Sequence, residues 1–106
     1  MIHVTVYKKE SITGLKVCGH AGYAEYGNDI ICAAVSVLMT NLLNSLEALT
    51  DETFEFEADE ESGRMELSLE NPVSHDADLL IRSCVLGLEA IAKEHRDYVR
   101  LKYKEV

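Results

Sequence analysis

The sequence predicts an α+β domain of order ββαββαβ, a mainly antiparallel sheet packed with two long helices. Two observations predict it. Several short stretches alternate apolar and polar residues, the period of a half-buried strand. Two longer stretches repeat apolar residues three and four positions apart, the period of a helix face. The 106 residues fit one domain, 1–106, and an apolar share of 47% argues against disorder.

Ile2, Val4 and Val6 share one face of a strand over residues 2–7. A turn within Lys8–Gly14 leads to a second strand, whose inward face begins at Leu15 and Val17 and which stops near Gly19. Ile31, Ala34, Val35, Leu38, Leu42, Leu46 and Leu49 stripe a helix over residues 29–49, with Asn28 or Asp29 as its N-cap. Phe54, Phe56 and Ala58 alternate with Glu55, Glu57 and Asp59; Met65, Leu67 and Leu69 alternate with Glu66, Ser68 and Glu70. "DEESGR" between them turns the pair into a hairpin with acids on its polar face. Asn71 as N-cap and Pro72 at the first helical position open a second helix, striped by Ala77, Leu80, Cys84, Leu88 and Ile91. Asp76 and Asp78 near its start, and Lys93, His95 and Arg96 near its end, suit the helix dipole. Val99, Leu101 and Tyr103 alternate with Arg100, Lys102 and Lys104 in a last, basic strand, a natural neighbour for the acidic hairpin.

Ten Lys and Arg against nineteen Asp and Glu leave a net charge of −9. That opposes non-specific nucleic-acid binding and permits attraction to a basic partner, although a merely solubilising surface accounts for it equally well. The opening "MIHVTVYKKE" lacks the basic start and apolar core of a leader, and no apolar run approaches the roughly 20 residues of a membrane span. The expected location is the cytoplasm, with Cys18, Cys32 and Cys84 as reduced thiols.

The chemistry concentrates in "VCGHAGYAEYGNDIICAAVSVL", residues 17–38. His20 ends a strand and Cys32 begins a helix. With the cap at Asn28 or Asp29, Cys32 falls in the first turn, where unpaired N–H groups and the dipole favour a thiolate and can receive an oxyanion. The intervening loop is long enough to bring His20 back to Cys32, so that the imidazole activates the thiol and later protonates a leaving amine. Gly19, Gly22 and Gly27 let the loop bend, and Tyr23 and Tyr26 can cover a substrate. Asp29 either orients His20 or only caps the helix. Ser36, one turn past Cys32, lines the same edge or packs inward.

Competing roles stand beside these. Packing accounts for Cys84 in its helix stripe and for Cys18 in its strand, and would account for Cys32 as well. His3, His75 and His95 read as surface or helix-end residues. Cys18, His20, Cys32 and His75 are soft ligands, yet no C-x-x-C or H-x-x-x-H pair is present, so no metal or other cofactor is expected.

The segment resembles the signature of the bacterial ribosomal-processing cysteine proteases, the Prp family. The pattern is G-H-A, a short Gly-containing loop, then G-x-D-I-x-C-A-A-V-S. The likeness in length and element order covers nearly the whole chain. The resemblance implies a cysteine endopeptidase that removes the N-terminal extension of a large-subunit ribosomal protein precursor. It implies cutting after an aromatic pair in an extended, mainly apolar segment, and a homodimer. His20 and Cys32 take the catalytic positions, and Ala21, Gly22, Tyr23, Ala24, Glu25, Tyr26, Gly27 and Asn28 the substrate-gating loop. Asp29, Gly19 and Ser36 stand as supporting positions. No direct nucleic-acid or membrane partner is implied. A basic ribosomal substrate would give the acidic charge a use in speeding encounter. The alternatives are a non-catalytic acidic module that holds a basic ribosomal protein during ribosome assembly, and a metal-binding domain.

Overall fold

A computed structural model describes residues 1–19, 25–70 and 72–106, with backbone alone at 25–29. The order is β1 (Ile2–Lys8), β2 (Ile12–Cys18), α1 (Glu25–Leu49), β3 (Phe54–Asp59), β4 (Arg64–Leu69), α2 (His75–Glu94) and β5 (Val99–Glu105). The described residues form one five-stranded sheet in the order β3-β4-β2-β1-β5. The pairs β1–β2, β2–β4 and β3–β4 are antiparallel, and β1–β5 is parallel. The sheet is thus mixed and mainly antiparallel, as expected.

The strand period of two divides the sheet's faces. Val4 lies opposite Val17 and beside Leu101, and Leu15 opposite Leu67, on the side that meets the helices. His3, Lys16, Glu66 and Lys102 alternate with them and face the uncovered side. Val4, Val6, Leu15, Met39, Leu46, Ile81 and Leu88 are fully buried in the shared core, and each such side chain contributes about 1.5–3 kcal/mol by leaving water. The two helices touch at Leu38: a Cβ added at Gly87 would sit 3.0 Å from Leu38 Cδ1, and Cys84 Sγ donates to the Leu38 carbonyl at 3.5 Å. Burial pushes the Cys84 thiol up from 9.0 to about 11. Tyr103 Oη donates to Glu89 Oε2 at 2.7 Å, tying β5 to α2.

Five expectations are corrected. First, β5 is not beside the acidic hairpin: β3 and β5 are opposite edges of the sheet. Val99, 1% exposed, lies against Ile2, and burying that apolar face outweighs exposed cross-strand charge pairs of about 0.2–1 kcal/mol. Second, α1 starts at Glu25, so Asn28 and Asp29 lie inside it and do not cap it. The helix continues through Gly27, which costs only about 1 kcal/mol relative to Ala. Third, the cap of α2 is Ser74, whose side chain accepts from the Ala77 N–H, and Pro72 lies outside the helix. The expected cap Asn71 is outside the described residues. Fourth, Ala34 and Leu49 are exposed, Leu49 at 69%, and Met39 takes a core place in the stripe of α1. Fifth, Ile30–Leu49 is long and apolar enough to cross a membrane by length and composition. Here its stripe from Ile31 to Leu46 packs in the core.

Candidate active site

An open cleft of about 440 Å³ runs between α1 and the β3–β4 hairpin. Cys32, Ser36, Thr40 and Leu43 line it from α1. Their spacing of four, four and three residues makes them one ridge of the helix. Phe56 and Met65 line it from the hairpin. Cys32 is half-buried and packs against the core. It is the eighth residue of α1, in the third turn. The first-turn N–H groups and dipole expected around it are therefore not its surroundings, since those effects fade within one turn of the helix end.

The end of β2 reaches the same cleft. Gly19 lines it, and its N–H donates to the Ser62 carbonyl at 3.0 Å, which fastens the strand end to the hairpin turn. Gly19 has φ +96°, and a Cβ there would run into the Met1 carbonyl oxygen. Only glycine serves in this left-handed, crowded position. His20 is the next residue. His20, Ala21, Gly22, Tyr23 and Ala24 lie outside the described residues, and so does any pairing of His20 with Cys32. Of the remaining loop positions, Glu25, Tyr26, Gly27 and Asn28 form the start of α1, with Asp29 next in the helix.

The structure brings Gly19, Cys32 and Ser36 to one cleft and leaves the other thiols elsewhere. Cys18 faces the uncovered side of the sheet, opposite His3. Cys84 is buried between the helices, and His75 sits on the surface beside Asp76 at 3.1 Å. Among the described residues, no three His, Cys, Asp or Glu side chains group as a metal would require. The sequence alone does not single out Thr40, Leu43, Phe56 or Met65 as site residues. The signal for Thr40 is its four-residue step from Ser36 along the ridge. Phe56 and Met65 carry none, because their alternation fits any core face.

A half-buried thiol in the wall of an open groove, on a small strand-and-helix frame, sets a potential nucleophile beside room for an extended chain. Residues 1–100 match the family described as cysteine protease Prp, and the chain belongs to that family; it is a cysteine protease. It is similar to the ribosomal processing cysteine protease Prp of Staphylococcus aureus (strain NCTC 8325 / PS 47), at 28% identity over 97% of each chain. It is similar also to the protein of that name from Bacillus subtilis (strain 168), at 27% identity over 95% of this chain and 96% of the relative. Among solved structures, the S. aureus essential ribosomal processing protease Prp with a covalently linked product peptide superposes with a TM-score of 0.90. That match has 28% identity and covers 98% of this chain and 100% of the other. SMU.848 from Streptococcus mutans gives a TM-score of 0.91 at 34% identity, over 100% and 96%.

Proposed function

We propose that this chain is a cytoplasmic, homodimeric endopeptidase that removes the N-terminal extension of a large-subunit ribosomal protein precursor, cutting after an aromatic pair. Cys32 is the nucleophile and His20 the acid and base. The observation that carries this reading is the shared cleft: the Cys32 thiol and Gly19, the residue before His20, line one groove. The relatives named for ribosomal processing, and the S. aureus relative's complex with a substrate peptide, support the substrate class. The apolar side chains of Leu43, Phe56 and Met65 suit aromatic residues ahead of the cut.

In this mechanism the Cys32 thiolate attacks the scissile carbonyl. The C–N bond breaks as His20 gives its proton to the departing amine, leaving a thioester. His20 then takes a proton from water, which attacks the thioester and frees the thiol and the new carboxylate. Because Cys32 lies in the third turn of α1, the first-turn amides are not assigned to the oxyanion. Ser36, one turn along the same ridge, offers a hydroxyl donor on the cleft side.

The test is mass spectrometry of the extended ribosomal precursor after incubation with the protein, its Cys32→Ala form or its His20→Ala form. One cut after the aromatic pair is expected, absent with Cys32→Ala and strongly slowed with His20→Ala. A fully active Cys32→Ala protein overturns the assignment.

A further inference from the structure

The edge strand β3 borders the cleft, and its sequence is patterned as though to read an added chain; its use in that way rests on the chain being a peptidase with Cys32 as nucleophile. β4 is the one strand paired with β3 among the described residues. In an antiparallel pair, alternate residues exchange hydrogen bonds with the partner, and those between turn their N–H and C=O groups the other way. An edge therefore offers a row of backbone donors and acceptors to one more strand. Edges are commonly blunted by proline, a bulge or charged side chains. β3 has no proline or bulge, since "FEFEAD" runs in unbroken register from Phe54 opposite Leu69 to Asp59 opposite Arg64, and its charges Glu55 and Glu57 stand on the face away from Phe54 and Phe56.

Phe56, Ala58 and Asp59 line the same cleft as Cys32. The α1 ridge from Cys32 to Leu43 rises about 16 Å, the length of about five residues of extended chain. The two faces of β3 differ sharply. Phe54 and Phe56 are half-buried on the helix side, whereas Glu55 and Glu57 are exposed on the other. Residues 54–70 hold seven carboxylates and one cation, Arg64. Arg64 Nη1 lies 3.4 Å from Glu57 Oε2 and 3.1 Å from Glu66 Oε1, while Glu55 has no cation beside it among the described residues.

We propose that β3 binds the segment to be cut as an added strand and reads it with a period of two. Apolar side chains enter the cleft beside α1, and cationic ones lie against Glu55 and Glu57. The occupant is thus an extended peptide in which apolar residues alternate with Lys or Arg. Residues directly opposite on neighbouring strands have their Cβ atoms about 4.5–5.5 Å apart, so carboxylates at alternate positions meet cations at alternate positions.

Three quenched-fluorescent peptides test this. Each carries apolar residues alternating with Lys, Glu or Ser ahead of a Phe pair. The ratio of kcat/KM for the Lys and Glu peptides is read for the native protein, for E55Q/E57Q and for E55K/E57K. Binding of the same peptides to Cys32→Ala protein gives the same ratio without any cleavage, which separates failure of this inference from failure of the protease reading. The native protein should favour Lys over Glu by about fivefold or more, E55Q/E57Q should flatten the ratio, and E55K/E57K should invert it. A ratio that is the same in all three proteins overturns the charge reading. Methylating successive peptide nitrogens should weaken binding at alternate positions; equal tolerance at every position overturns strand addition.

Discussion

At Gly19 one missing side chain holds the cleft together. Replacing it by Ala would set a Cβ against the Met1 carbonyl in a backbone with φ +96°. Ala pays about 1–2 kcal/mol for such a conformation before the collision is counted. Gly19→Ala should lower the melting temperature and, because His20 is the next residue, depress turnover as well; unchanged values of both would show the site to be indifferent to this residue. Cys84 makes a different prediction. Its folded thiol keeps the proton up to about 11, against 9.0 ordinarily. Between those values the folded state binds more protons than the unfolded one, so stability falls as pH rises through that window and is fully present below it. Urea midpoints at pH 8 and pH 10 should therefore drop more for the native protein than for Cys84→Ala, and equal drops would remove Cys84 as the cause. Cys84 is legible in the sequence because a helix stripe passes through it. The setting of Cys32 is not, because it depends on where α1 begins, and Gly27 reads as a bend in the loop while the helix runs through it.

The elements show the same division between local and distant information. All seven are visible from their periods, and the hairpin's turn falls at residues 59–64, where "DEESGR" places it. The start of α2 is misread from local pattern, because Asn71-Pro72 makes a good opening while the helix is capped at Ser74. Ser74's N–H donates to Glu52 Oε1 at 2.9 Å, a partner more than twenty residues away that no local pattern shows. Ser74→Ala should cost about 1 kcal/mol of stability by removing the cap, measured by denaturant titration; no loss would mean that α2 starts elsewhere in solution. Gly87 sets how closely the helices approach. Gly87→Val should push on Leu38 and cost about 1–3 kcal/mol as an overpacked core does, whereas an unchanged unfolding midpoint would show that the contact yields freely. The partner of β5 is likewise hidden: its alternation identifies a strand but does not say which edge it joins.

Across the whole molecule, charge is sorted as well as abundant. The acidic hairpin lies at one edge of the sheet and the basic β5 at the other. The net −9 is legible in composition; its segregation needs the strand order. Under the function proposed above, a basic precursor arriving at the hairpin side meets the carboxylates flanking the cleft. Cleavage of the full-length precursor should therefore slow severalfold as salt rises from about 50 to 500 mM, since screening shortens the reach of surface charge from about 14 Å to about 4 Å. A short peptide without charge should respond much less. Equal salt dependence for both would exclude steering.

The parallel pairing of β1 with β5 carries a consequence for how the chain acquires its shape. β1 begins at Ile2 and its outer neighbour begins at Val99, so their pairing spans nearly the whole of this domain. The β1–β2 and β3–β4 hairpins can close early, over short loops, but the sheet is complete only when β5 has found β1 across the intervening hairpin and both helices. Long-range pairing of this kind is slow to find. Until it forms, Ile2, Val4 and Val6 are without the strand that buries one side of them, and they offer an open strand edge to other chains.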